Sequence, residues 1–406
     1  MSKRDNIVWH LTHTDLRVDF RIQKAMEATR VSGSEVVGIS FSSHAGYRTK
    51  DTGGNELLGF VVPLGKKTNR TEVDKFEVGN GINLEIASRR ASWAQKLFMI
   101  PFATGKLLIK TRRERPNAIW VHDFPLLIPG LLVSSLSKSK LIYDAHELNG
   151  HAAGHTGLWS SLILFGQKLA WKYISGFITV SESIRQWYLE TYGPKHSIVV
   201  TNSPMNEPLE NAGPKQASVR EALQISQEQL IFCYLGAIEP GRNIETLLRI
   251  FAKPERTSVI VFVGEGSLKS EIVRFSETVA SIRHHHPVQN WKIAELLSEV
   301  DYGFVLIEPI SLSDRFSLPN KLFEYLESGV IPIGSKLPEI QRVISESGTG
   351  HVVDTSEKSL EELIWKLERL GAPSSRAVLL EMYSWKAQRS LLASFVARLL
   401  DRVAGP

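Results

Sequence analysis

Three ionisable residues, Asp144, His146 and Glu147, close the apolar run Leu141–Tyr143. A strand that ends in charge puts that charge at its carboxyl end, where parallel α/β sheets keep their chemistry. The imidazole of His146 then has two readings: a group that works on a ligand, or a ring satisfied by Asp144 or by backbone. A second apolar run, Ala118–Val121, ends in His122 and Asp123. The first strand is followed by His13-Thr-Asp-Leu-Arg17, where Arg17 either holds a phosphate or pairs with Asp15 or Asp19.

A separate chemistry-bearing segment runs from Ser311 to Gly329. Pro319 suits a first helical position, where its missing N–H costs nothing. Gly329 suits the position just past a helix end. The spacing predicts a helix over 319–328, whose N-terminus offers free N–H groups and partial positive charge to an anion. Lys321 adds a full charge in the first turn, against the helix dipole. Glu324 follows three residues on, on the same face. A cation for phosphate beside a carboxylate for hydroxyls suits a nucleotide; a surface helix with a Lys–Glu pair is the competing reading. Upstream, Tyr234-Leu-Gly-Ala-Ile-Glu-Pro-Gly-Arg-Asn243 joins a strand to a helix. Gly236 lets backbone approach a ligand, and Arg242 can clamp a diphosphate.

The elements that must position these residues alternate along the chain. Strand patterns at Asn6–Leu11, Glu35–Phe41, Ala118–Val121, Lys140–Tyr143, Gly176–Val180 and Ser197–Val200 are separated by helical ones. One of these helical patterns is Val18–Thr29, with Val18, Ile22, Ala25 and Met26 on one face. A Pro-, Asn- and Gly-rich stretch, Pro204–Ser218, reads as a linker. The pattern then restarts with strands at Leu230–Leu235, Val259–Val263, Tyr302–Ile307 and Val330–Ile333. This grammar implies two doubly wound α/β domains in tandem, with a ligand cleft between them.

Composition excludes several classes. Of 406 residues, 43% are hydrophobic and 22% charged, so extensive disorder is ruled out. The one cysteine, Cys233, can form neither an internal disulfide nor a cysteine-based zinc site, and it favours a reducing compartment. The apolar run Ile7–Trp9 is too short for the core of a signal peptide. The longest apolar stretch, Phe124–Leu136, is broken by Pro125, Pro129 and Gly130, and cannot span a membrane. Charge is uneven, +9 over residues 1–205 and −4 over the remainder. That excess points to a polyanionic partner on the N-terminal side.

The segment SLPNKLFEYLESGVIPIGSKLPEIQRVI resembles the nucleotide-sugar-binding segment of family 4 retaining glycosyltransferases of the GT-B fold. Leu141-Ile-Tyr-Asp-Ala-His-Glu147 resembles the Tyr-Asp-x-His-Glu motif of the same branch. The resemblance covers nearly the whole chain, least well over 42–90. It implies two Rossmann-like domains facing across a cleft: residues 1–205 for the acceptor, 206–384 for the nucleotide-sugar donor, and a closing helix at 385–406. It implies transfer of a sugar from a nucleotide diphosphate sugar to a hydroxyl, with retention, in surface polysaccharide or glycolipid assembly. His146 would then sit at the reaction centre with Asp144 and Glu147, and His122, Asp123 and Arg17 on the acceptor side. Gly236, Arg242, Glu265 (in the turn Val263-Gly-Glu-Gly266), Ser317, Leu318, Asn320, Lys321 and Glu324 would hold the donor, with Glu324 on the ribose. The loop around His286 and Val288 would line the base pocket.

Two positions depart from that family. Ala237 replaces a phosphate-binding arginine, and Phe316 replaces a glutamate, leaving its contacts to Asp314 or to the Ser317–Leu318 backbone. These departures keep open a degenerate nucleotide-sugar-binding or scaffold protein. A nicotinamide dehydrogenase is the other alternative, but "HLTHTDLR" after the first strand is no Gly-x-Gly-x-x-Gly turn. No Asp-x-Asp pair occurs, so the expectation is no metal and no cofactor, with Arg, Lys and the helix dipole neutralising the diphosphate. The run His284-His-His286 lacks the acid or cysteine partners of a metal site.

Residues 89–115 hold Arg89, Arg90, Lys96, Lys106, Lys110, Arg112, Arg113 and Arg115, with aromatic and aliphatic residues interleaved. That composition suits an anionic membrane surface. No nucleic-acid module is visible. The expected location is cytoplasmic, peripheral on the inner membrane face, with a glycan or lipid-linked acceptor.

Overall fold

The structure, a computed structural model, describes residues 6–17, 19–42, 47–51, 55–61, 72–78, 82–88, 93–154, 157–205, 218–288 and 292–401. The chain divides into two units, Met1–Val200 with Arg389–Pro406, and Thr201–Gln388.

The first unit contains the strands β1 (Ile7–Thr12), β2 (Glu35–Ser42), β3 (Tyr47–Lys50), β4 (Glu56–Val61), β5 (Glu72–Val78), β6 (Ile82–Ser88), β7 (Ala118–His122), β8 (Lys140–Ala145), β9 (Ile174–Thr179) and β10 (Ser197–Val199). Its helices are α1 (Phe20–Val31), α2 (Trp93–Thr111), α3 (Leu127–Ser137), α4 (Gly157–Trp171) and α5 (Glu182–Tyr192). The sheet order is β10-β9-β8-β7-β1-β2-β4-β3, parallel except for β3 against β4, and β5 and β6 form a separate hairpin. The chain first builds outward from β1 to β2 and β4, then returns to lay β7 on the other side of β1. The β1–β7 junction is therefore the topological switch point, and ligands bind beyond the carboxyl ends of strands there.

The second unit restarts the pattern with α6 (Val219–Leu223), β11 (Ile231–Leu235), α7 (Ile244–Phe251), β12 (Val259–Val263), α8 (Lys269–Thr278), β13 (Ile282–His285), α9 (Ile293–Leu297), β14 (Tyr302–Val305), α10 (Leu312–Arg315), α11 (Asn320–Glu327), β15 (Ile331–Ser335), α12 (Pro338–Ser347), β16 (His351–Val353) and α13 (Glu357–Leu370). Its sheet is parallel, in the order β13-β12-β11-β14-β15-β16, with a switch point between β11 and β14. Successive side chains of a strand alternate between faces. Ile231, Cys233 and Leu235 accordingly join one buried cluster with Leu322 and Tyr325, and Phe232 and Tyr234 another with Ile244 and Leu248.

The unit boundary falls within a last helix, α14 (Trp385–Asp401). Leu392, Phe395, Val396 and Leu399 pack into the first unit's core with Val8, Trp120, Ile142 and Ile178. Gly176 makes this possible, because a Cβ there would stand 2.4 Å from Leu399.

Elements depart from expectation in detail. The helix expected over 319–328 begins at Asn320; Pro319, at ψ 143°, is its N-cap and not its first helical residue. Gly329 follows the helix end at φ +78°. α1 begins one residue after Asp19, whose carboxylate accepts from the Ile22 N–H and caps it. It buries Ile22, Ala25 and Met26, whereas Val18 lies outside the described residues. Of the expected linker, residues 206–217 lie outside them too.

Candidate active site

In the first unit, β1, β7 and β8 lie side by side, and each carries part of one buried cluster. His10 on β1 places Nε2 3.1 Å from the Thr29 hydroxyl and Nδ1 3.0 Å from His122 Nε2. His122 Nδ1 stands 3.2 Å from Asp144, and Asp144 stands 3.4 Å from His146 Nε2. His146 Nδ1 reaches Asp123 at 3.0 Å, and the His146 backbone N–H donates to the other Asp123 oxygen. Asn149 Nδ2 donates to that same oxygen at 3.2 Å, and Arg21 Nη2 donates to Asp144 at 3.2 Å. The result is a continuous line of polar groups from Thr29 to Asn149 across the switch point.

Backbone geometry marks the same place. Asp123 sits at φ 60°, ψ 169°, a region that is essentially glycine's and costs a residue with a Cβ about 1–3 kcal/mol. The carboxylate's bonds to His146 and Asn149, and the Asp123 N–H donated to the Asp144 carbonyl at 2.9 Å, hold it there.

Burial pushes the pKa of His10 well down and lowers that of His122, so both rings are neutral. Burial and Arg21 also oppose a charge on His146, but Asp123 and Asp144 outweigh them and raise it to about 9. Burial raises both aspartates; for Asp123 the neighbouring His146 reverses this, and for Asp144 Arg21 and His146 do so, leaving both well below the usual carboxylate range. Two carboxylates, one imidazolium and one guanidinium thus balance, which is the condition for burying charge at tolerable cost. His146 remains partly open to solvent while His122 and Asp144 lie beneath it. His122, Asp144 and His146 also offer metal-ligand atoms within 4.8 Å of one another. A metal there must displace the His146 proton and share Asp144 with Arg21.

In the second unit, Tyr325 fixes α11 against the end of β11. Its hydroxyl donates to the Cys233 carbonyl at 3.1 Å and accepts from the Leu235 N–H at 3.0 Å. Gly303 on β14 makes room, since a Cβ there would stand 2.6 Å from the Tyr325 ring. Lys321, one turn earlier on the same face, lays Nζ 3.8 Å from the Tyr234 ring centroid and beside Gly236, which sits at φ +117°. Burial first, and Arg242 second, press the Lys321 pKa down to about 7, against the pull of Glu324. Among the described residues neither Lys321 nor Arg242 forms a salt bridge. Two mutually repelling basic groups beside a helix N-terminus are an arrangement whose strain a multiply charged anion would relieve.

The Gly264-Glu265-Gly266 turn has a structural task. Ile238 N–H donates to the Glu265 carbonyl at 2.8 Å, and a Cβ on Gly264 would stand 1.9 Å from the Gly236 carbonyl oxygen. Gly264→Ala should therefore destabilise the protein by about 2–4 kcal/mol, read as a lowered urea midpoint; an unchanged midpoint contradicts this packing.

The other sequence-derived residues are placed as follows. The Arg17 guanidinium is engaged by Asp15, at 2.6 Å. Glu147 is exposed beyond β8. The Glu265 carboxylate pairs with Lys269 at 2.6 Å, and His286 stands 4.0 Å from it. The Ser317 hydroxyl donates to the Asp314 carbonyl, Leu318 is buried, and Asn320 opens α11. The Asp314 carboxylate accepts from the Ser311 hydroxyl that caps α10, so of the two groups that could replace the glutamate missing at Phe316, the carboxylate is engaged locally. Ser181 caps α5, accepting from the Ile184 N–H. In the basic segment, Arg89 and Arg90 lie outside the described residues, as does the Lys96 side chain. Lys110 is paired with Glu114 at 2.7 Å, whereas Lys106, Arg112, Arg113 and Arg115 are exposed.

Arg21, His10 and Asn149 join the cluster without belonging to either strand-end motif. A histidine in an otherwise apolar strand, His10 in Ile7–Leu11, was the available signal. Arg21 carried none, because its partner lies 123 residues away.

No protein-family model and no curated protein matches the chain. Solved structures do match its fold over nearly the full length. Sucrose-phosphate synthase from Thermosynechococcus elongatus is 12% identical with a TM-score of 0.67, over 98% of this chain and 94% of that one. HepE of Anabaena, solved with UDP-glucose, is 10% identical with a TM-score of 0.60, over 98% of both chains. WaaG, a glycosyltransferase involved in lipopolysaccharide biosynthesis, is 10% identical with a TM-score of 0.59, over 98% of this chain and all of that one. The fold is thus the two-domain, Rossmann-like architecture of GT-B glycosyltransferases.

Proposed function

We propose that the chain is a glycosyltransferase moving a sugar from a nucleoside diphosphate sugar to an acceptor hydroxyl, with retention at the anomeric carbon. The observation that carries this reading is Lys321, buried beside Gly236 near the start of α11 and under the repulsion of Arg242, with Glu324 one turn on. A diphosphate relieves that repulsion, and Glu324 takes the ribose hydroxyls. In the reaction, the bond from the anomeric carbon to the diphosphate oxygen breaks and the acceptor oxygen bonds to that carbon. The acceptor proton passes to the departing diphosphate, whose charge Lys321, Arg242 and the α11 N–H groups stabilise. The His146 imidazolium, held between Asp123 and Asp144, offers its positive charge and its partly exposed ring edge to the reacting sugar. No metal is assigned a role. The acceptor is a glycan or lipid-linked sugar of a surface polysaccharide or glycolipid, and the protein works from the cytoplasmic face of a membrane.

A thermal-shift panel of UDP, GDP, ADP, CMP and dTDP tests the donor site. A ligand that binds only the native state raises its melting temperature by mass action. One nucleotide should raise it by several degrees, and Glu324→Ala should abolish most of that shift. A flat panel, or a shift untouched in Glu324→Ala, removes the donor assignment.

A further inference from the structure

α4 is apolar on both faces, and the described residues cover only one. Ile163, Gly166, Ala170 and Trp171 face inward and are buried. Leu158, Leu162, Phe165 and Leu169 form an outward stripe at helical spacing, with Leu158 76% and Phe165 67% exposed. Leu132 and Leu136 on the adjoining α3 extend it. A helix apolar all round is normally enclosed, and an exposed apolar patch of this kind marks a binding surface.

Charge on α3 and α4 has one sign. No Asp or Glu occurs between Glu147 and Glu182, or between Asp123 and Asp144. The exposed charges of α3 and α4 are cationic: Lys168 and Lys172 beside the stripe and Lys138 at the end of α3, with Lys106 exposed on the next helix, α2, and Arg112 just past its end. A second copy docking α4 on α4 by two-fold symmetry would bring the cations of both copies together, and neither α3 nor α4 has a carboxylate to meet them. A bilayer with anionic headgroups satisfies both features, since the side chains of the stripe enter the acyl boundary and the ammonium groups stay among phosphates.

We infer that the α3–α4 face docks the protein on an anionic phospholipid surface, with α4 lying in the plane of the interface. This deepens the proposed function by bringing a lipid-linked acceptor to the enzyme, and it rests on that reading only for its purpose. The test uses the full chain and vesicles of phosphatidylcholine with or without phosphatidylglycerol, in a flotation assay without substrate. Wild type should float with the anionic vesicles and release at high salt. Leu162→Ser with Phe165→Ser, and separately Lys168→Glu with Lys172→Glu, should each lower partitioning by at least about tenfold. Because these side chains face outward, both variants should keep the wild-type melting temperature and nucleotide response. Wild type remaining in solution, or variants floating like wild type, overturns the assignment. So does a lipid-free dimer that dissociates in Phe165→Ser, which would give the face to a second copy. Loss of nucleotide binding in wild type with flotation intact would instead remove the proposed reaction and leave the surface standing.

Discussion

Replacing His146 with glutamine should lower turnover at least about a hundredfold while leaving nucleotide affinity within about twofold. The imidazolium is the one cation of the Asp123–His146–Asp144 set, and it keeps partial access to solvent, so its loss removes a positive charge the reaction can use. The donor cations belong to the second unit and are untouched. The variant also has a stability signature. The folded pKa of about 9 lies above the ordinary value near 6.5, because the two carboxylates favour the charged form. A raised folded pKa stabilises fully below the unfolded value, and that stabilisation disappears as pH rises through the folded value. The melting-temperature gap between wild type and His146→Gln should therefore be widest near pH 6 and shrink towards pH 9. Near-normal turnover in the variant, or a gap that widens with pH, removes His146 from the reaction centre.

The polar cluster was half legible, and the reason lies in sequence distance. His122, Asp123, Asp144 and His146 terminate two apolar strands, and parallel order puts adjacent strand ends together, so their types and positions announced a site. His10 and Arg21 join from β1 and α1 only through the β1–β7 pairing, which no local pattern records. In the second unit the helix carrying Lys321 was legible from Pro319 and Gly329 to within one residue, since both act through local backbone preference. The turn at Gly264 read as a weak signal because glycines serve many turns; only the 1.9 Å approach to Gly236 shows that this one has no substitute. β13 and β16 escaped because they are short, and β13 ends in His284 and His285, which read as loop. The α4 stripe escaped because apolar residues are read as core by default. Periodicity shows that Leu158, Leu162, Phe165 and Leu169 share a face, but only the fold shows that these side chains are exposed.

Nucleotide binding should take up close to one proton per molecule at pH 8, and little at pH 6. Burial and Arg242 hold Lys321 at about 7 in the free protein, so at pH 8 most molecules carry a neutral amine there. A diphosphate beside it restores the charged form, and the proton must come from buffer. Calorimetry in buffers of different ionisation enthalpy measures it directly as the slope of apparent enthalpy. Affinity should fall with rising pH above about 7, towards the slope that one linked proton dictates. The same depressed pKa bears on stability with the opposite sign to His146. A base whose folded pKa lies below its unfolded value penalises the fold at low pH and is relieved as pH rises from about 7 towards the ordinary lysine range. Nucleotide removes that penalty, so its stabilising effect should be greatest on the acid side of neutrality. In Lys321→Met the proton uptake should vanish and affinity drop by at least about tenfold, with the Tyr234 contact kept by an unbranched apolar chain. Arg242→Gln separates the cause: removing the neighbouring charge should let the Lys321 pKa rise, moving the onset of proton uptake to higher pH even as affinity falls. Uptake of a full proton in Lys321→Met, or none at pH 8 in wild type, would place the anion elsewhere than at the start of α11.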